Sequence, residues 1–299
     1  MRSILMNAGG RLRNGWWALL YVAVLVACMR GFQFLIPFLK RHNIHNGDWV
    51  IGLLFLFSLV ATWVCTKLRK ESVASVGFQL NGRWVREAGL GVLIGGGIML
   101  LGAGMLWAAG GVTWELHPLR SLRMVGTGFL VYVLVALWEE NAFRGFVFQR
   151  LVEGMGVWPT QLLLALLFGM AHWNNPGMHG ATKFWATLDI ALAALFLGLA
   201  YLRTRSLALP VGIHLGWNWV QGNVLGFGVS GTSEMHGWIR PVFQGKPEWV
   251  SGSAFGLEAS IFGVVAVLIG IVLLWKWKGS APAPASAARN SEPLQAESI

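Results

Sequence analysis

Two carboxylates and a guanidinium lie in an otherwise apolar stretch, at Glu139, Glu140 and Arg144. An acidic side chain at the centre of a membrane span costs roughly 2.5–3.5 kcal/mol on insertion scales, so such groups mark functional sites. Residues four apart share a helix face, and Glu140 and Arg144 are therefore placed to pair. Glu139 is rotated by about 100° from Glu140 and faces something else. The alternative is that the helix ends here and all three side chains reach water at the headgroups.

Two further apolar segments carry polar side chains with the same four-residue spacing. One ends with Phe168 and His172, and the other contains His214 and Asn218. Both members of each pair project from one helix face. Three helices therefore offer a carboxylate, two imidazoles and a carboxamide.

This set of groups supports two hydrolytic chemistries. A carboxylate with two imidazoles is the ligand set of hydrolytic zinc sites, which keep one position open for water. Without a metal, Glu139 is a general base acting on a water, and a histidine or Asn218 donates to the oxyanion. A structural alternative is that His214 and Asn218 form hydrogen bonds between helices. Asp189, another acid in an apolar segment, is expected either to join the site or to pair with a neighbouring helix.

The composition indicates a polytopic membrane protein. Hydrophobic residues make up 55% of the chain and charged residues only 12%, whereas charged residues are near a quarter of soluble domains. The net charge of +10 comes from short basic clusters between apolar runs. That distribution fits topology signals and anionic headgroups, so membrane lipids are expected partners and nucleic acid is not.

We predict an all-α transmembrane bundle of about eight spans, each long enough to cross about 30 Å of hydrocarbon. The predicted spans are Trp16–Leu39, Trp49–Thr66, Ala88–Ala109, Val125–Gln149, Trp158–Trp173, Phe184–Leu202, Leu207–Gly226 and Phe255–Trp275. Lys and Arg residues are concentrated in alternate loops, which places both termini in the cytoplasm. In the third span, Gly95, Gly96, Gly97 and Gly104 predict close helix packing.

The expected organisation is a single integral-membrane domain at residues 1–278 with a catalytic core at about 125–226. Residues 279–299 read as a disordered cytoplasmic tail, because they have little apolar surface to bury. We expect a multi-pass protein of the plasma (inner) membrane.

The depth of His172 is a difficulty for a shared site. At 1.5 Å per residue, Glu139 lies about 10–15 Å and His214 about 10 Å from the cytoplasmic ends of their spans. His172 lies about 20 Å along its helix from Trp158. We expect either a tilted helix or a helix that begins after Trp158.

The order and spacing of the three motifs resemble the CAAX protease and bacteriocin-processing family, also called the Abi family. The motifs are Glu-Glu-x-x-x-Arg (Glu139, Glu140, Arg144), Phe-x-x-x-His (Phe168, His172) and His-x-x-x-Asn (His214, Asn218). Within the first motif, residues 139–145 also match the form Glu-Glu-x-x-Phe-Arg-Gly that is typical of the family. The resemblance covers roughly Val125 to Gly226.

This resemblance implies an eight-helix intramembrane endopeptidase, similar to type II CAAX prenyl proteases, that cleaves a peptide bond near the cytoplasmic membrane face. Glu139 would activate water, with Glu140 and Arg144 as supporting groups. His172 and His214 would be ligands or activators, and Asn218 would stabilise the oxyanion. Family members are described both as zinc metalloproteases, which would bind the metal through Glu139, His172 and His214, and as metal-independent glutamate proteases. The substrate would be a peptide or membrane-protein terminus, with or without an attached lipid.

Two other classes of function remain as alternatives. The first is a membrane scaffold or immunity-type protein in which the polar cluster only holds helices together. The second is a transporter or proton channel, which is disfavoured because the sequence shows neither repeated halves nor a matching pair of broken helices.

Overall fold

The computed structural model describes residues 2–7, 9–41, 48–231 and 237–280 and consists mostly of helices. The helices are α1 (Arg2–Leu5), α2 (Asn14–Arg41), α3 (Asp48–Arg69), α4 (Gly82–Ala108), α5 (Leu122–Arg144), α6 (Phe146–Met155), α7 (Val157–Ala171), α8 (Gly180–Thr204), α9 (Ala208–Trp219), α10 (Glu248–Ser251) and α11 (Ile261–Lys276). Several helices begin at a serine or asparagine N-cap. For example, Asn81 Oδ1 accepts a hydrogen bond from the Trp84 amide at 3.0 Å at the start of α4. Nearly all of the predicted tail, from residue 281 onward, lies outside the described residues.

Five segments are long and apolar enough to cross a membrane, fewer than the eight spans that we predicted. They are Asn14–Leu39, Val50–Arg69, Gly82–Ala108, Leu122–Met155 and Gly180–Thr204. The predicted fifth and eighth spans correspond to the shorter apolar helices α7 and α11. The predicted seventh span is divided into the 12-residue helix α9 and one π-helical turn at Val220–Val224.

The predicted fourth span is broken at Gly145, between α5 and α6. Gly145 has φ −75° and ψ −125°, which is not helical. A β-carbon at this position would overlap the Asn141 carbonyl oxygen and come within 2.9 Å of the Asn141 side-chain oxygen. Glycine is therefore the residue that allows the chain to bend directly after Arg144 and begin a second helix.

Helices α4 and α9 touch backbone to backbone through glycines on both partners. A methyl group at Gly95 would overlap the Ile213 carbonyl, and one at Gly216 would overlap the Val92 carbonyl. Such small-residue contacts are a usual basis of helix association in membranes. The prediction of close packing is confirmed for Gly95 and Gly96, whereas no atom lies within 4 Å of a β-carbon built at Gly97 or Gly104.

Gly216→Val is expected to destabilise the protein by about 1–3 kcal/mol, because it forces the two backbones apart. The matched control is Gly97→Ala, a helical glycine with open space around its β-carbon position, which should be neutral or slightly stabilising. Denaturant unfolding in lipid nanodiscs measures both. Equal stability of the two variants would contradict the role assigned to this contact.

The structure also contains a small sheet that the all-α prediction did not include. Strands β1 (Val112–Leu116) and β2 (Ile239–Phe243) pair antiparallel, with Val112 opposite Phe243. Their inner side packs on the core near Phe227, whose ring lies 6.4 Å from that of Trp114. Five-residue strands with no clear alternation gave no period-2 pattern in the sequence.

Candidate active site

A cavity of about 400 Å³ lies among α5, α7, α8 and α9. Four of the six predicted site residues line it: Glu139, His172, His214 and Asn218. The other two, Glu140 and Arg144, lie outside the cavity lining and are almost completely buried, with 0% and 2% exposure. The structure therefore brings the three motifs together at one buried space.

Glu140 joins α5 to α9 through one carboxylate oxygen. Arg144 Nη1 donates to Glu140 Oε1 at 3.2 Å, and His214 Nδ1 donates to the same oxygen at 2.8 Å. Arg144 also donates to the Ala194 carbonyl of α8 at 3.1 Å. The predicted pairing of Glu140 with Arg144 is confirmed. Glu140 also fixes the orientation of the His214 ring, because it accepts the Nδ1 proton. Nε2 is then the ring nitrogen that can interact with a group in the cavity.

Glu139 faces the free side of the same histidine. Its Oε2 lies 3.7 Å from His214 Nε2, and 20% of its side chain is exposed. This separation is too long for a direct hydrogen bond but suits a bridging water. The two adjacent glutamates thus occupy different environments, as the helical geometry of the motif predicts.

His172 presents its ring in a comparable way from the end of α7. Its Nδ1 lies 2.8 Å from the Phe168 carbonyl. A carbonyl oxygen only accepts, so Nδ1 carries a proton, and in the neutral ring Nε2 is then the nitrogen that can accept. Both histidines therefore have Nδ1 occupied by a protein acceptor and Nε2 available for other partners.

Phe168 determines which turn of α7 packs beside the end of α5. Its ring lies 4.9 Å from the Phe143 ring and 4.7 Å from the Arg144 guanidinium carbon. The last turns of the two helices therefore meet. Glu139 lies five residues before Arg144 on α5, and His172 lies four residues after Phe168 on α7. Both line the cavity, so the two helices run in opposite directions here. Each residue lies about one turn from the contact between Arg144 and Phe168.

The structure contradicts one of the two expectations for the depth of His172, and the other, a tilted helix, stays a prediction. Helix α7 begins at Val157, so a later helix start is wrong. Instead, α6 carries the chain about 15 Å beyond Gly145, and α7 returns about 18 Å to the level of Phe168, at 1.5 Å per residue. The two distances nearly cancel, which brings His172 to the cavity.

Asn218 lies one turn beyond His214 on α9 and is 6% exposed. It lines the cavity beside His214, as the four-residue spacing predicts. The backbone contact of α9 with α4 fixes the positions of both residues. A buried carboxamide at this place can donate to a carbonyl oxygen bound in the cavity.

Asn141 anchors the motif to a third helix. It is fully buried, its Nδ2 donates to Ser58 Oγ at 2.9 Å, and Thr62 Oγ1 donates to its Oδ1 at 3.2 Å. These bonds join α5 to α3 directly after the glutamate pair. The sequence analysis assigned no role to Asn141, although a polar residue between Glu140 and Arg144 in an apolar stretch carried the same signal as they did.

Three further polar residues line the cavity that the sequence analysis did not place there. Glu258 precedes α11, Ser230 lies in the loop after α9, and Asn175 follows His172. Asn175 Nδ2 donates to the Ser230 carbonyl at 2.8 Å. Asp189, for which a site role was one of two expectations, also lines the cavity. Glu258 could have been found from sequence, since it is an acid inside a predicted span.

The zinc prediction can be compared with these positions. In the described part of the chain, no three His, Cys, Asp or Glu side chains lie close enough together to hold a metal ion. The donor types of Glu139, His172 and His214 suit zinc, but their placement does not form a three-ligand set.

The sequence was then compared with known proteins. Residues 121–220 match the family model described as type II CAAX prenyl endopeptidase Rce1-like. All six predicted site residues lie within this interval, whereas Ser230 and Glu258 lie outside it. No curated protein and no solved structure matches the chain. The resemblance predicted from the three motifs is confirmed for the matched interval.

Proposed function

We propose, starting from the match of residues 121–220 to the Rce1-like type II CAAX prenyl endopeptidase model, that this integral membrane protein is an intramembrane endopeptidase. The observation that carries the proposal is the convergence of Glu139, His172, His214 and Asn218 on one cavity. A cavity of about 400 Å³ is within the usual size of small-ligand sites and admits a short stretch of peptide. The substrate is a peptide or membrane-protein terminus, with or without a lipid attached.

The proposed reaction begins with a water between Glu139 and the histidines. Glu139 takes one proton from this water, and the resulting hydroxide bonds to the carbonyl carbon of the peptide. The second proton of the water is donated to Nε2 of His172 or His214, which orients the water, because Nδ1 of each ring is already donating elsewhere. Glu140 and Arg144 act through His214 by holding its ring.

The tetrahedral intermediate then collapses. Its oxyanion accepts a hydrogen bond from the Asn218 carboxamide, which stabilises the charge as it develops. Glu139 transfers its proton to the leaving nitrogen as the C–N bond breaks, which regenerates the carboxylate. The products are a new carboxyl terminus and a new amino terminus, and no other reactant is consumed besides water.

The proposal is tested by comparing membrane-associated protein termini in cells that carry the wild type or Glu139→Ala. New termini that disappear in the variant identify substrates and cleavage sites. The control is Glu115→Ala, which removes an exposed carboxylate in β1 far from the motifs. An identical set of termini in all three strains would refute proteolysis.

A scaffold remains the second candidate, because the Glu140–Arg144 pair also ties α5 to α8 and α9. Under that hypothesis Glu139→Ala lowers the amount of folded protein and changes no termini. Folded yield, measured by size-exclusion chromatography, separates the two functions.

Zinc held by Glu139, His172 and His214 stays a prediction of the family resemblance. From the separation of these groups we expect the purified protein to retain cleavage after treatment with a metal chelator. Metal analysis of the wild type and His214→Ala provides the second measurement. Stoichiometric zinc that is absent from the variant, together with activity lost on chelation and restored by zinc, would establish the metalloprotease instead.

The topology that we propose has about eight crossings and both termini in the cytoplasm of the plasma (inner) membrane. Helix α9 with its following turn covers residues 208–224, or about 25 Å at 1.5 Å per residue, and supplies one of the crossings. Residues 1–278 form the single membrane domain and 279–299 the tail. Reporter fusions after Arg41, Lys70 and Lys278 are expected to read outside, inside and inside, and any other pattern contradicts this topology.

A further inference from the structure

The cavity is lined by two acids besides Glu139. Its described lining contains the carboxylates of Glu139, Asp189 and Glu258 but no Lys or Arg. Asp189 comes from α8, and Glu258 comes from the short turn Leu257–Ala259 that packs against α8. The mechanism proposed above uses Glu139 and leaves Asp189 and Glu258 without a task.

Glu258 is a buried carboxylate that is held by neutral donors. Trp217 Nε1 donates to its Oε1 at 3.3 Å, and the Ser230 amide and hydroxyl donate to its Oε2 at 2.6 and 3.0 Å. Among the described residues no Lys or Arg pairs with it. This differs from Glu140, whose charge is paired with Arg144. Three donors fix the position of Glu258 and leave its charge to be matched by another group.

Asp189 is completely buried, and neither of its carboxylate oxygens has a hydrogen-bond partner among the described residues. An unpartnered acid of this kind is costly, whether it is neutral or charged. Residues on the wall of a catalytic cavity escape this cost when a ligand supplies the missing donors. Asp189 therefore indicates a donor-bearing group that enters the cavity.

We propose that Asp189 and Glu258 form a subsite for the ammonium group of a lysine side chain in the substrate. A cation bound in the cavity would offset the burial of both acids, and the ammonium group offers three donors in a compact shape. An ammonium group also leaves more room than a guanidinium for the peptide backbone in a cavity of about 400 Å³. The subsite rests on the proposed peptidase function and gives it a sequence preference.

The size of the cavity limits how far the lysine can lie from the cleaved bond in the substrate sequence. An extended chain advances about 3.3 Å per residue, so only a few residues fit in the same space as Glu139. The lysine therefore lies within about two residues of the bond that is cleaved. Glu258 and Ser230 lie outside the interval matched by the family model, whereas Asp189 lies inside it, so the subsite joins the matched interval to the rest of the chain.

The test separates binding from cleavage. Full-length protein with Glu139→Gln is placed in lipid nanodiscs and titrated with acetyl-Ala-Ala-Lys-Ala amide and with the same peptide containing norleucine. The norleucine side chain has nearly the length of lysine and no charge. We expect the lysine peptide to bind at least tenfold more tightly. Adding Asp189→Asn or Glu258→Gln, which keep the side-chain shape, should reduce that ratio to near one.

The control adds Glu87→Gln, which changes a buried acid that pairs with Arg83 outside the cavity and should keep the full ratio. Equal binding of the two peptides, or no binding of either, overturns the subsite. A ratio that survives Asp189→Asn and Glu258→Gln in folded protein overturns it as well. If the lysine peptide binds selectively but the protein with Glu139 intact cleaves neither peptide, the subsite stands and the peptidase proposal is what fails for this substrate class.

Discussion

Glu139→Gln is expected to abolish peptide cleavage while leaving the fold unchanged. In the proposed mechanism the substitution removes the group that takes the proton from water, and loss of a general base costs about 10²–10⁴-fold in rate. The fold should be unchanged because 20% of the Glu139 side chain is exposed. His214 Nε2 lies 3.7 Å from its Oε2, beyond hydrogen-bond distance. The measurements are kcat on a substrate identified from the termini and the unfolding midpoint of the same preparation.

The neighbouring glutamate provides the matched control for this variant. Glu140→Gln changes the same type of side chain one position away, but it affects the Arg144 pair and the ring of His214. We expect it to lower both stability and activity, in contrast to Glu139→Gln. Full cleavage by Glu139→Gln would remove Glu139 from the mechanism. A large loss of stability in that variant would assign it a structural role.

Arg144→Met is expected to destabilise the protein by about 3–5 kcal/mol, because it leaves Glu140 buried without its counter-ion. It also removes the donor to the Ala194 carbonyl and the cation that lies over the Phe168 ring. The double variant Glu140→Gln with Arg144→Met carries no unpaired charge and should recover part of this loss. Denaturant unfolding in lipid nanodiscs measures both.

Arg69→Met is the control for the buried ion pair. Arg69 pairs with Glu71 at 2.8 Å, but both side chains are partly exposed, so its loss should cost no more than about 1 kcal/mol. If Arg144→Met costs no more than Arg69→Met, the Glu140 pair is not a main source of stability. If the double variant is no more stable than Arg144→Met, the loss comes from the Ala194 and Phe168 contacts rather than from the stranded charge.

The site could be predicted from the sequence because hydrocarbon makes polar residues conspicuous. Glu139, His172 and His214 each interrupt an apolar run, and four-residue spacing gave each a partner on the same face. Glu258 was missed although it met the same criterion, since it was included in the predicted span Phe255–Trp275. In the structure α11 begins only at Ile261, so Glu258 belongs to the turn before it.

The number and depth of the spans could not be predicted in the same way. Hydropathy measures how apolar a stretch is and does not locate a break such as that at Gly145, because the residues on both sides are equally apolar. The position of His172 depends on that break, through the length of α6. The predicted span Leu207–Gly226 contains α9 and the π-helical turn after it, and hydropathy does not show where the type of helix changes.

The glycine contact between α4 and α9 has a consequence for how the site admits a substrate. With carbonyl oxygens of each helix lying against glycines of the other, α9 has no room to shift, and His214 and Asn218 form a rigid wall. His172 is half-buried at the end of α7, where the helix gives way to a loop. We therefore expect substrate entry to displace the α7 end rather than α9, so that His214 and Asn218 keep their positions.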